Sequence, residues 1–223
     1  MKKTLALFST ILCVLLLTAM RSENPKKIIF FGDSITQLGV NPGGYVSLMR
    51  EDLEKAGKAS NYELIGAGIG GNKIYDLFLR LEKDVLSKKP DLVVIYIGVN
   101  DIWHKQMFGT GTDPDKFKLF YSTIIEKIRA GGAEVVLCTP AVIGEKTDSS
   151  NQQDGDLNAY SSIIRSLAST YKCTLVDLRK MFLEHNLKNN PENKESGILT
   201  TDRVHLNKAG NELLARELSK VVY

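Results

Sequence analysis

The chain is 223 residues long, with 29 lysines and arginines against 26 aspartates and glutamates and 43% hydrophobic residues. Lys2 and Lys3 precede an uncharged apolar run from Leu5 to Met20, and polarity returns with Arg21, Glu23 and Pro25, the pattern of a secretory signal peptide. Residues 1–20 hold two of the basic residues and no acidic one, so residues 21–223 are close to neutral and lack the positive field of a nucleic-acid or anionic-membrane partner.

The apolar run is shorter than the roughly 20 residues of a membrane-spanning helix. Residues 1–20 are therefore expected to be a leader and residues 21–223 a single domain, exported to the periplasm or the extracellular space. That remainder is long enough for one full core.

Strand candidates come first in each repeat of the pattern: Lys27 to Phe31, Tyr62 to Gly66, Leu92 to Ile97, Val135 to Thr139 and Thr174 to Leu178. Each is short and nearly continuous in apolar residues, as in strands buried on both faces. Helical stretches are expected at Tyr45 to Ala56, Lys73 to Lys88, Pro114 to Ala130, Leu157 to Tyr171 and Lys208 to Val221. Gly57, Pro90 and Gly131-Gly132 mark helix ends, and Pro114 suits a first turn. Alternation of this kind predicts an α/β fold, a five-stranded parallel sheet with helices on both faces. Cys138 and Cys173 fall at opposite ends of neighbouring strands, too far apart for a disulfide, and are read as small buried hydrophobes.

In such a sheet, ligands bind beyond the carboxyl ends of the strands. Four polar or glycine-rich turns accumulate there. Gly32-Asp33-Ser34-Ile35 follows the first strand and offers a hydroxyl. Gly66-Ala67-Gly68-Ile69-Gly70-Gly71 follows the second and fits the Gly-x-Gly-x-x-Gly pattern of dinucleotide sites. The acidic ribose partner of that pattern is missing, since the next strand runs into Gly98-Val99-Asn100; what remains is a set of bare backbone N–H groups able to hold an anion or oxyanion. Asn100 can donate its side-chain amide into the same crevice.

After it, Ile102, Trp103, His104, Met107 and Phe108 form either one wall of a substrate pocket or a satellite cluster on the core. Trp103 and His104 are the candidate substrate-binding residues. The polar stretch Gly144 to Asp156 is a second candidate wall, with a composition that permits disorder before ligand binds. Near the end, Asp202-Arg203-Val204-His205 places a carboxylate three residues before a histidine, able to hold Nδ1 and leave Nε2 free to accept a proton. Asn207 is a candidate cap for the last helix, and His185 a solvated helical residue. No cluster has metal-ligand spacing, and no cofactor is expected.

In order along the chain, Gly32-Asp33-Ser34-Ile35, Gly70-Gly71-Asn72, Gly98-Val99-Asn100-Asp101 and Asp202-Arg203-Val204-His205 resemble the four blocks of the SGNH branch of the GDSL esterase and lipase family, with Ile35 where that family usually has Leu. The resemblance implies a flavodoxin-like three-layer sandwich. It implies Ser34 as nucleophile, His205 as base and then acid, Asp202 as its orienter, and an oxyanion hole from the N–H groups of Ser34 and Gly71 and the amide of Asn100. Gly70 is the alternative to Gly71, one position away. The expected function is hydrolysis of short acyl esters, acetyl esters of carbohydrate among them, through an acyl-enzyme. Lysophospholipase, lipase or acyltransferase activity would use the same residues, and a non-catalytic flavodoxin-like binding module is the reading from another class.

Overall fold

The computed structural model describes residues 24–223; the expected leader over residues 1–20 lies outside them. Five strands, β1 Lys26–Gly32, β2 Tyr62–Gly68, β3 Leu92–Tyr96, β4 Glu134–Cys138 and β5 Thr174–Val176, form one parallel sheet. Their order is β2-β1-β3-β4-β5, so the chain reverses its direction of winding between β1 and β3. That switch point is where a crevice opens in sheets of this type.

Among the described residues, eight α-helices connect or follow the strands: α1 Ser34–Gly39, α2 Tyr45–Lys55, α3 Ile74–Asp84, α4 Val99–Phe108, α5 Pro114–Ala130, α6 Asp154–Tyr171, α7 Leu178–Asn189 and α8 Lys208–Val222. Helix α2 packs on α8, while α3 packs on α5 and α5 on α6, covering the two faces of the sheet. The covered strands explain the near-continuous apolar runs: Ile28 to Phe31 and Val93 to Ile95 are almost wholly buried.

All five expected strands are present, with ends moved by one or two residues. The fifth stops at Val176 rather than Leu178, because Asp177 caps α7 by accepting the Lys180 N–H at 3.3 Å. Helices α1, α4 and α7 are additional to the expected set, although His185 does lie on a helix and is half-buried there. Asn207 caps α8, its side chain accepting the Gly210 N–H at 3.0 Å. Both Cys138 and Cys173 are free thiols, and Cys138 stands level with Val176, three residues beyond Cys173.

Register aligns the parts of the crevice. Gly32 of β1 is level with Gly68 of β2 and with Tyr96 of β3, so the residues just beyond each strand meet at one edge. A Cβ on Gly32 would lie 2.4 Å from the Tyr96 carbonyl oxygen, and one on Gly68 2.2 Å from the Gln37 backbone nitrogen. The glycines of the Gly-x-Gly-x-x-Gly run therefore admit α1 against β2, which accounts for Gly66 and Gly68 without any dinucleotide.

Candidate active site

Ser34 is the first residue of α1, and Asp33 before it is the cap: its carboxylate accepts the Ile35 N–H at 3.0 Å. The strand-to-helix turn fixes the serine backbone while leaving the side chain partly exposed. Its Oγ lies 2.9 Å from His205 Nε2, and His205 Nδ1 lies 2.7 Å from Asp202 Oδ2. The other carboxylate oxygen of Asp202 accepts the N–H groups of His205 at 2.8 Å and Val204 at 3.2 Å. One carboxylate thus grips both the ring and the backbone of its own turn. Partial burial pushes the Asp202 carboxyl up, but the imidazole and the two N–H groups outweigh it, and the net shift is below the ordinary carboxylate value.

Across Ser34, the β2 exit loop offers its backbone. The Gly70 N–H donates to Gln37 Oε1 at 2.7 Å and the Asn72 N–H to the Ile69 carbonyl at 3.3 Å. Gly71 lies between these two committed donors with a positive φ of 76°, a conformation suited to glycine. Of the two glycines, Gly70 is the one whose N–H is engaged by Gln37. Asn100 Nδ2 donates to the Asn72 carbonyl at 3.1 Å, which orients its amide and leaves a second amide hydrogen for a ligand.

Arg80, which lies outside every motif, and Asp101, which ends the third block with no role implied for it, assemble this side. Arg80, on α3, donates to the Gly32 carbonyl at 2.7 Å, to Asn72 Oδ1 at 2.7 Å and to Asp84 at 2.8 Å, with its guanidinium 4.5 Å from the centre of the Phe31 ring. It joins the ends of β1 and β2 to one helix. Asp101 is fully buried and accepts the Ile74 N–H at the start of α3, with oxygens at 3.1 and 3.3 Å. Since Asp101 follows Asn100, this bond holds the Gly70-Gly71 loop beside the amide.

Burial raises both carboxyls behind the site, Asp33 to about 7 and Asp101 to about 6. For Asp33 the Ile35 N–H opposes burial, and the neighbouring Asp101 adds to the rise while His205 reduces it.

The segment after Asn100 continues helix α4, with one side in the core and another near the Gly71 loop. Ile102 is buried in the core, while His104 reaches toward the site: its Cε1 is 3.8 Å from where a Cβ on Gly71 would stand. Loss of hydration and the nearby Lys73 ammonium lower the His104 pKa. Trp103 packs partly buried against the core with its ring 6.0 Å from that of His104, and exposed Phe108 meets His104 edge-on at 5.2 Å. The stretch from Gly144 is different from its expected character. Its first part is buried: Gly144 and Glu145 are inside the protein, and the exposed residues are Asp148 to Ser150, Gln152, Gly155 and Asp156. Burial results from long-range hydrogen bonds to residues 195 to 203.

A groove of about 640 Å³ opens beside His205, between Leu38, Pro42 and Leu48 on one bank and Leu206 and Lys208 on the other. A second hollow, of about 400 Å³, lies at the amino edge of the sheet near Arg129, Glu134 and Cys173, away from Ser34 and His205. Burial raises the Cys173 thiol pKa, which makes it a poor nucleophile. Among the described residues no group of three His, Cys, Asp or Glu side chains could hold a metal ion, and no helix is long and apolar enough to cross a membrane.

Residues 30–213 match the GDSL-like Lipase/Acylhydrolase family. A crystal structure of an acetyl xylan esterase, AlAXEase, is similar at 63% sequence identity with a TM-score of 0.88, over 88% of this chain and 100% of that one. An acetylxylan esterase from Geobacillus stearothermophilus is 28% identical over 215 residues, 88% of this chain and 94% of its own length. The crystal structure of Axe2, an acetylxylan esterase from the same organism, gives a TM-score of 0.77 at 26% identity, over 90% of this chain and 95% of that one. With the family matched from β1 to α8, the chain belongs to the GDSL-like lipases and acylhydrolases and is a carboxylic ester hydrolase.

Proposed function

We propose that the protein removes acetyl groups from carbohydrate, with Ser34 as nucleophile, His205 as general base and acid, and Asp202 as its orienter. The observation that carries this reading is the continuous chain from Ser34 Oγ through the His205 ring to Asp202, at 2.9 and 2.7 Å. Serine attacks an ester only if its proton leaves as the bond forms. Nε2 accepts that proton while Asp202 stabilises the imidazolium. The carbonyl oxygen becomes an oxyanion facing the N–H groups of Ser34 and Gly71 and the Asn100 amide, which stabilise it more than they do the ester. His205 then protonates the departing sugar hydroxyl, the acetyl group stays on Ser34 Oγ, and water activated by the same imidazole releases acetate.

Carbohydrate is favoured by the similar proteins named acetylxylan esterases and by the groove bordered by His205. The leaving alcohol must approach the ring that protonates it, so a groove on that bank suits a sugar chain. A longer acyl group is the second reading, favoured by the apolar face of Phe108 beside His104 at the oxyanion loop. Hydrolysis of nitrophenyl esters of increasing acyl length, set beside acetate release from acetylated xylo-oligosaccharides, separates the two. Highest kcat/KM on the acetylated sugar and a fall with acyl length support the proposal; the reverse order supports the lipid-like ester. Ser34→Ala should lose about 10⁶-fold in kcat while remaining folded, and an active Ala variant removes Ser34 from the chemistry. The leader-like residues 1–20 support export, which amino-terminal sequencing of the protein from a natural producer checks: an intact Met1 end would refute a cleaved leader.

A further inference from the structure

The Asp202–His205 turn stands off the sheet, so strand register cannot hold it. It is the tip of a small two-stranded loop: the Thr201 N–H donates to the His205 carbonyl at 2.8 Å, the Asn207 N–H to the Leu199 carbonyl at 3.0 Å, and Thr200 bridges Leu206. An isolated pair of this size is marginal by itself. Its outer limb ends on a buried carboxylate. Glu145 Oε1 accepts the N–H groups of Leu199 at 2.6 Å and Thr200 at 2.9 Å, and Oε2 that of Ile198 at 2.8 Å. The Glu145 N–H reaches the Glu195 carbonyl at 2.9 Å, and the neighbouring Gly144 N–H reaches that of Arg203 at 2.9 Å, inside the turn itself.

We infer that Glu145 is a positioning residue for the acid–base pair: its carboxylate fixes residues 198 to 200 and, through them, the distance from His205 Nε2 to Ser34 Oγ. Three considerations carry this. Burying a carboxylate is costly and is tolerated only when its lone pairs are engaged, and here three consecutive main-chain donors engage them. Three hydrogen bonds converge on this one side chain, more than the two main-chain bonds that the loop's own strands exchange through Thr201 and Asn207. Arg203 adopts a positive φ of 84° between Asp202 and Val204, a conformation that persists for a side-chain-bearing residue only when its surroundings hold it, and the Gly144 N–H is one of those holds.

Glu145 touches neither substrate nor reacting atoms, so its effect should appear in turnover and not in binding. The inference rests on the proposed acid–base role of His205, and the test keeps the two apart. Glu145→Gln and Glu145→Ala are assayed on 4-nitrophenyl acetate well below each variant's melting temperature, alone and combined with His205→Ala. Small displacements of a catalytic group cost up to about 100-fold, so kcat should fall about 10- to 100-fold in the Ala variant. The Gln variant should lose less, because one oxygen still accepts two donors, and KM should stay within about twofold. In the His205→Ala background, Glu145→Gln should cause no further loss, since the group it positions is gone.

A folded Gln variant with unchanged kcat and only a lower Tm overturns the inference in favour of a purely structural role. So does a Gln variant that cannot be obtained folded, or a loss that is undiminished in the His205→Ala background. Full turnover in His205→Ala by itself refutes the acid–base assignment.

Discussion

The two halves of the site are built by different means. Ser34, Gly71 and Asn100 extend from β1, β2 and β3, whose ends are level at Gly32, Gly68 and Tyr96, so the sheet itself sets their spacing. Asp202 and His205 belong to no strand of that sheet; the loop that carries them is tied at residues 198 to 200 to Glu145, 53 to 55 positions earlier in the chain. The proposed oxyanion half is therefore positioned by secondary structure, and the proposed acid–base half by the inferred tether. Damage to the first should act on transition-state charge; damage to the second should act on geometry and spread to stability.

Asn100→Ala is the sharpest break in the oxyanion half. Loss of one such donor commonly costs about 100- to 1,000-fold in kcat, roughly 3–4 kcal/mol. The variant should fold, because the amide gives up a single hydrogen bond to the Asn72 carbonyl. Steady-state kinetics with circular dichroism check this, and a folded variant retaining most of its turnover would remove Asn100 from the hole. Arg80→Ala strikes the support of the same half. It removes one of the two donors to the Gly32 carbonyl, which keeps the Ile69 N–H, strands Asn72 Oδ1 and leaves Asp84 without its ion pair, so a stability loss of about 2–3 kcal/mol is expected, with a fall in kcat smaller than that of Asn100→Ala. Urea unfolding measures the first and initial rates the second.

On the tethered side, Gly144→Ala is the informative change. Its φ is 99°, and an added Cβ would lie 2.4 Å from Asn151 Oδ1, so about 1–3 kcal/mol of strain is expected. Because the Gly144 N–H bonds Arg203 within the proposed acid–base turn, kcat should fall about 10-fold with KM little changed. A variant that loses stability but keeps full kcat when folded would show that this hold does not reach His205.

The same division explains what could be read without coordinates. A buried strand followed by glycine and a polar turn is a local pattern, so Ser34, Asn100 and the Gly70-Gly71 loop were legible, and β1 to β5 with them. Helix α5 was legible to its ends because Pro114 starts it and Gly131 stops it. Helix α7 was not, since its inner face carries polar residues: buried Arg179 pairs with Asp154 at 2.8 Å and donates to Asn158 Oδ1 at 2.8 Å, which hides the apolar stripe. Helix α4 opens on Gly98, Asn100 and Asp101, residues that read equally as a turn. Glu145 lies in a polar stretch with the composition of a solvated loop. Its partners are backbone N–H groups of distant residues, and backbone donors carry no side-chain signature to search for. Arg80 escaped for a similar reason, since it resembles any helix-surface arginine until the Gly32 carbonyl and Asn72 meet it.

Asp33 faces both halves: the charge of Asp101 raises its pKa and that of His205 lowers it. Asp33→Asn should have the smallest effect on turnover, within a few-fold, because Asn also caps helices well and can keep the bond to the Ile35 N–H. Its consequence is in pH-dependent stability. With burial holding the folded carboxyl at about 7 against an ordinary 3.8, the folded chain keeps this proton where the unfolded chain has released it. The stability so gained is full below about pH 4 and is lost as pH rises through about 7, by roughly 2–4 kcal/mol. Wild type should therefore weaken from pH 5 to pH 8 more steeply than Asp33→Asn, and the variant should be the more stable of the two at pH 8. Asp101, raised to about 6 by burial, leaves a smaller slope of the same sign in the variant. Urea midpoints at pH 5, 6.5 and 8 decide the matter: parallel curves would mean that Asp33 is ionised throughout, and the two halves would then share a fixed negative charge in place of a titrating one.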